Sequence, residues 1–275
     1  MGFKGVEIFE NDFLVHDLKA KEIKKIVYDY GLEISLFQPF RDFEGMPEPY
    51  RSRAFDRAKK KFDVMNELGA KTILICSNTS NLAAGGIDRA ADDFNELGEI
   101  AKVRDIFIGY EALAWGKYIS DHRDAWEIVR RANHKHVGII LDSFHTLSKG
   151  INLDTITSIP KEKIFIVQIA DAPKYNMDLL FWSRHFRNMP GQGDLKVSEF
   201  MKKLNDTGYD NWISLEIFND QFRKDNRDLI TKDGYRSLIN LSKQNEIVER
   251  AEIEKIEFIE SVSYTHLTLP TMIGV

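Results

Sequence analysis

Cysteine is almost absent from this chain: Cys76 stands alone. A single thiol excludes an internal disulfide, and with it a fold stapled together in place of a core; a cytoplasmic location is the expectation. Basic excess is missing too. Against 43 Asp and Glu stand 38 Lys and Arg, a formal net charge of −5, which argues against a nucleic-acid binder held by a general basic field. No apolar run approaches the roughly 18 residues that span a bilayer, so no membrane partner is expected. What is present is 43% hydrophobic and 29% charged residues over 275 positions. That is the mixture of a folded globular protein, with room for one large α/β domain or two modest ones.

Short β-branched and apolar runs alternate with longer helical patterns. The runs are GVEIF (5–9), EISLFQ (33–38), TILICS (72–77), IFIGYE (106–111), VGIILD (137–142), IFIVQI (164–169) and WISLEI (212–217). Between them lie segments with apolar residues at helical spacing, such as 51–69 and 88–103. This alternation predicts parallel strands joined by crossover helices. Several runs are nearly all apolar, as strands covered on both faces must be. A closed (β/α)8 barrel needs eight strands, and seven are legible, the first beginning at Gly5 with no helix before it. The expectation is a barrel lacking its first βα unit; an open seven-stranded sheet is the alternative.

The barrel pattern ends near residue 242. Residues 243–260 read as a charged, helix-like linker leading towards a further domain, and 261–275 continue no period. Within that tail SYTHLTLPT (263–271) resembles the translation of a transposase adapter used in sequencing libraries. The tail is expected to be a non-native scar, the alternative being a genuine disordered end.

In parallel α/β folds the active site lies outside the carboxyl ends of the strands. The fourth run closes with Glu111, the fifth with Asp142, the sixth carries Gln168 and the seventh Glu216. Three carboxylates gathered beside an apolar core repel one another and raise each other's pKa unless a cation lies between them. Oxygen donors without a thiolate favour Mg²⁺, Mn²⁺ or Co²⁺. The bland alternative is a set of separate caps and ion pairs.

Three residues beyond Asp142 comes His145, at the start of the following loop, and His122 begins the helix after Glu111. His185 belongs to the long loop SRHFRNMPGQGD (183–194), which also offers Arg184 and Arg187. A guanidinium at a barrel mouth suits a carboxylate or phosphate; Arg41, after the second run, is a further candidate. His134 and His136 precede a strand, at the opposite end, and read as surface residues. Gly191-Gln192-Gly193 is no nucleotide fingerprint, because no strand leads into it as that motif requires. Cys76 reads as a small core residue.

Taken together, GVEIFEND (5–12), SLFQPFRDFEG (35–45), GYEALAWG (109–116), LDSFHTL (141–147), QIADAP (168–173), RNMPGQGD (187–194) and LEIFND (215–220) resemble the sugar-phosphate isomerase/epimerase superfamily, the xylose-isomerase-like TIM barrels. More narrowly they resemble the bacterial 3-dehydroshikimate dehydratases, over residues 2 to about 241. Each piece alone is weak and the combination is specific. The resemblance places the metal ligands on Glu111, Asp142, Gln168 and Glu216; Gln168 stands where other members of the superfamily carry histidine. In one branch the barrel is fused to a domain resembling 4-hydroxyphenylpyruvate dioxygenase, and IEFIE (256–260) looks like the first strand of such a domain. A natural chain longer at both ends is therefore expected.

The resemblance implies a metal-dependent loss of water from 3-dehydroshikimate to give protocatechuate. Proton loss next to the ketone gives an enediolate whose charge the metal offsets, and the β-hydroxyl then leaves. On this reading His145 is the base, and His122 the acid or the group that positions the leaving hydroxyl; the two roles are interchangeable. Arg187 and Arg41, with His185 beside them, bind the substrate. The partner is a small molecule, and no reading of oligomeric state is available. Three rivals stand beside this one: a sugar or hydroxy-ketone isomerase on the same fold, an apurinic endonuclease relative, and an inert fragment left by an incomplete barrel.

Overall fold

The computed structural model describes residues 2–244, so the expected segments 243–260 and 261–275 lie outside the described residues apart from the last two residues of the final helix, Arg227–Gln244. Seven strands form one sheet: β1 (Gly5–Phe9), β2 (Glu33–Phe40), β3 (Thr72–Cys76), β4 (Phe107–Glu111), β5 (Val137–Asp142), β6 (Ile164–Ile169) and β7 (Trp212–Leu215). They are parallel and lie side by side in chain order. Helices cross back between them, among them Tyr50–Leu68, Ile87–Lys102 and His122–Ala132. This is the expected TIM-barrel architecture. No helix among the described residues is long and apolar enough to cross a membrane.

Side chains alternate across each strand, and the alternation sorts the core into two layers. Ile73 and Ile75 of β3, Ile108 and Tyr110 of β4, and Ile139 and Leu141 of β5 pack outward with the helices. Leu36, Leu74, Cys76, Ile140 and Ile166 pack on the inner face. Both faces of β5 are buried throughout, which is why that run shows no polar position before Asp142. Gly109 makes the inner layer fit: a Cβ there would lie 2.5 Å from the Ile140 side chain.

Just above this apolar layer the inner face turns polar. Glu7, Gln38, Cys76, Glu111, Asp142, Gln168 and Glu216 follow one another round the sheet, and all are buried. Register locks neighbours together: Phe9 pairs with Gln38, Cys76 with Glu111, and Asp142 with Gln168. Among the described residues β1 and β7 share no ladder. Side chains span that seam instead. The Phe3 ring meets Tyr235 edge-on at 5.5 Å, and Gly5 lies against Trp212.

At the amino-terminal end of the strands the surface reading of His134 is corrected. Its ring is buried against Gly98 and bonded to Glu99. His136 stacks on Phe107 at 4.6 Å. The apolar spacing of the neighbouring helix gave no sign that a glycine would leave room for an imidazole.

Candidate metal centre and active-site cavity

Strands β4 to β7 each bring one oxygen-bearing side chain, Glu111, Asp142, Gln168 and Glu216, to the inner face at their carboxyl ends. The Asp142 carboxylate caps the helix Ser143–Ser148, its Oδ1 accepting from the Phe144 N–H at 2.7 Å, while Oδ2 faces the barrel axis. Ligand atoms of Glu111, Asp142 and His145 all lie within 4.8 Å of one another. Glu216 accepts from Gln168 Nε2 at 3.3 Å, which adds the sixth and seventh strands to the cluster. Burial pushes the Glu111 carboxyl well up, and the nearby Glu216 and Asp142 push it further. Glu216 is raised by burial against the opposing pull of Arg187.

Two buried oxygens in this cluster, Glu111 Oε1 and Gln168 Oε1, meet no hydrogen-bond donor. Leaving such atoms unmade costs more than a typical hydrogen bond returns. Three carboxylates and an amide oxygen, with two orphaned acceptors among them, form a hard donor set. It fits a divalent cation.

His145 extends from the first turn of the Ser143–Ser148 helix. Its Nε2 lies 3.4 Å from Asp142 Oδ2 and 3.9 Å from Glu111 Oε1. Its Nδ1 accepts a long bond from the Ala114 N–H at 3.3 Å, and the Trp115 ring covers it edge-on at 5.0 Å. Burial, assisted by Arg187, lowers its pKa well below that of a free imidazole, so the ring is neutral. His122 and His185 do not reach this cavity. His122 bonds Thr155 at 2.8 Å and Thr146 at 3.4 Å, and burial lowers its pKa to about 4. His185 pairs with Asp220 at 2.8 Å and lies against the Phe181 ring.

The arginines are distributed differently from expectation. Arg187 Nη1 donates to Asp142 Oδ2 and to Glu216 Oε2, both at 2.8 Å, and Nε and Nη2 donate to Ser183 Oγ. Burial works against its charge, but Asp142 and Glu216 outweigh burial and hold it above an ordinary arginine. Its guanidinium neutralises two buried carboxylates, leaving little of it for a substrate carboxylate. Arg41 lines the cavity as expected, and so does Arg184. Neither guanidinium has a hydrogen-bonded or ionic partner among the described residues; Arg184 lies over the Phe218 ring at 4.7 Å. The helix Leu179–His185 explains the selection. Ser183 and Arg184 lie in its last turn and line the cavity, whereas His185 turns to Asp220; Arg187 follows the helix, its N–H bonded to the Phe218 carbonyl. The following loop is tied down by Asp171, whose carboxylate accepts the N–H groups of Ala172, Gly191, Gly193 and Leu195.

The family described as xylose isomerase-like TIM barrel matches residues 1–241. The chain belongs to that family. It is 46% identical over 256 residues to a 3-dehydroshikimate dehydratase of Pseudomonas putida, covering 93% of this chain and 40% of that protein. It is 49% identical over 243 residues to a protein of the same name from Pseudomonas aeruginosa, covering 88% of this chain and 38% of that one. Among solved structures, a xylose isomerase-like TIM barrel/4-hydroxyphenylpyruvate dioxygenase fusion protein superposes with a TM-score of 0.87 at 47% identity, over 90% of this chain and 40% of that one. The chain thus spans about two fifths of the length of the curated relatives it matches. In this xylose isomerase-like barrel Glu111, Asp142, Gln168 and Glu216 are all buried on the inner face of the sheet. The additional inner-face residues, Glu7 and Gln38, fall within GVEIFEND and SLFQPFRDFEG, but those stretches gave them no role.

Proposed function

We propose that this barrel dehydrates 3-dehydroshikimate to protocatechuate, with a divalent metal held by Glu111, Asp142, Gln168 and Glu216. One observation carries the reading: two unpaired guanidinium groups, Arg41 and Arg184, line the same cavity as the carboxylate cluster and His145. A substrate with a carboxylate at one end and a hydroxy-ketone at the other matches both halves. A neutral sugar has no use for the arginines, which ranks the isomerase reading second. The likeness to the two Pseudomonas dehydratases supports the same choice.

When bound, the metal supplies Lewis-acid stabilisation of negative charge on the substrate's oxygens. The rest falls to the protein. Arg41 and Arg184 hold the carboxylate and set the ring's direction in the cavity. Arg187 keeps Asp142 and Glu216 charged and in place. His145 Nε2 takes the proton from the carbon beside the ketone, and the same imidazole hands it to the departing β-hydroxyl. Nε2 is free to accept only in the tautomer with hydrogen on Nδ1. That tautomer costs the long Ala114 contact, about 1 kcal/mol. Loss of a further ring proton to the new carbonyl oxygen completes the aromatic product. Trp115 keeps water from the imidazole.

The test is direct. The purified chain is mixed with 3-dehydroshikimate and Mg²⁺, Mn²⁺ or Co²⁺, and the ultraviolet absorbance of an aromatic product is followed. Turnover of neutral hydroxy-ketoses with none of 3-dehydroshikimate would assign the chain to the isomerases.

A further inference from the structure

Glu7 falls within the GVEIFEND stretch but was given no role there, and it does not line the cavity. It lies on β1, buried on the inner face. Its Oε2 accepts from Gln38 Nε2 of β2 and from Gln168 Nε2 of β6 at 2.9 Å. One side chain therefore joins three strands, β1, β2 and β6, across the seam where β1 and β7 share no ladder.

Gln168 has one end that donates and one that accepts. Both hydrogens of its Nε2 are taken, one by Glu7 at 2.9 Å and the other by Glu216 at 3.3 Å. Its Oε1 has no donor. Only that oxygen can serve a cation; a half-turn of the amide would present two hydrogens instead. The shorter of the two bonds that prevent this half-turn comes from Glu7.

We propose that Glu7 is a positioning residue for the metal centre, fixing the amide of Gln168 so that Oε1 is the end offered to the ion. Partners behind a ligand set its orientation, and losing one costs metal affinity. This rests on the metal site proposed above and adds a residue to it.

The experiment is Mn²⁺ binding by calorimetry on the full chain, with melting temperature as a check of folding. Glu7→Leu removes the acceptor and should weaken Mn²⁺ about 10- to 100-fold, whereas Glu7→Gln, which keeps an acceptor oxygen in place, should stay within about threefold of the unaltered chain. In a Gln168→Ala background there is no amide to orient, so Glu7→Leu should add less than about twofold. If Glu7→Leu melts below the assay temperature, Glu7→Asn gives the same reading, since its acceptor stops a methylene short of Gln168. Equal Mn²⁺ affinity in the folded leucine or asparagine variant, or an undiminished loss in the Gln168→Ala background, overturns the inference alone. An unaltered chain that binds no Mn²⁺ overturns the metal site and the inference with it.

Discussion

Arg187 and Asp142 form an ion pair withdrawn from water: Nη1 donates to Oδ2 at 2.8 Å, and neither side chain exposes more than 1% of its surface. Glu216 completes the arrangement at the same distance from the same nitrogen. A guanidinium thus shares two of the carboxylates that the metal would share. Breaking a buried pair by removing one partner is far more damaging than never having built it.

Arg187→Met should therefore destabilise the protein by about 3–5 kcal/mol when divalent ions are chelated. Added Mn²⁺ should recover part of the loss, because a cation between Asp142 and Glu216 replaces the missing charge. Urea unfolding with and without chelator measures both terms. Equal stability of variant and parent in chelator would show that the carboxylates do not depend on the arginine.

Asp142 and His145 are neighbours in sequence with separable tasks. Asp142→Ala should lose metal binding and turnover together, since it removes a ligand and a helix cap at once. His145→Ala should retain the metal and lose turnover by about 10²–10⁴-fold, the range of a general acid–base group. Near-normal turnover in His145→Ala would remove the imidazole from the mechanism.

The strands were legible because each is a short run rich in apolar and β-branched residues, and β1, β5 and β6 match their expected bounds. The four candidate oxygen donors stood out against those runs: a carboxylate or amide near the end of a buried strand has no role in the strand itself. Glu7 and Gln38 lie on the same layer but were given no role, because nothing in the spacing of the sequence shows that Glu7 meets Gln38 and Gln168. The histidines show the limit. His122 and His145 both follow a strand that ends in a candidate ligand. Only the path of the intervening chain decides that His145 meets Asp142 while His122 meets Thr155 and Thr146. Arg184 was visible in the loop sequence, but its selection over His185 needed the helical phase of residues 179–185.

Arg41 and Arg184 should act on binding more than on chemistry. Arg184→Met is expected to raise KM for 3-dehydroshikimate by about 10- to 100-fold, the loss of a charge-assisted bond to a carboxylate, with a smaller change in kcat. Arg184→Lys should recover little, because a point charge replaces a planar fork that also packs on Phe218. Steady-state kinetics of both variants, and of Arg41→Met, provide the check. An unchanged KM in all three would place the substrate carboxylate elsewhere.

Glu44 gives the protein a pH dependence separate from the metal centre. Its carboxyl is buried; Oε1 accepts from the Asn78 N–H at 2.5 Å and the Tyr110 hydroxyl at 2.9 Å, and Oε2 has no donor. Burial, working against those bonds, raises its pKa to about 7 from 4.5. The folded protein therefore holds this proton more tightly than the unfolded chain. The stabilisation is fully present below pH 4.5 and is lost as pH rises towards 7, a swing of about 3 kcal/mol at 1.36 kcal/mol per pKa unit. Glu44→Gln removes the titration while keeping an oxygen for Asn78 and Tyr110. The variant should gain on its parent as pH rises: little or no advantage at pH 5, and a melting temperature higher by several degrees at pH 8. Thermal melts of the pair at the two pH values measure it, and a difference that does not move with pH would mean that Glu44 ionises in the folded protein as readily as in the unfolded chain.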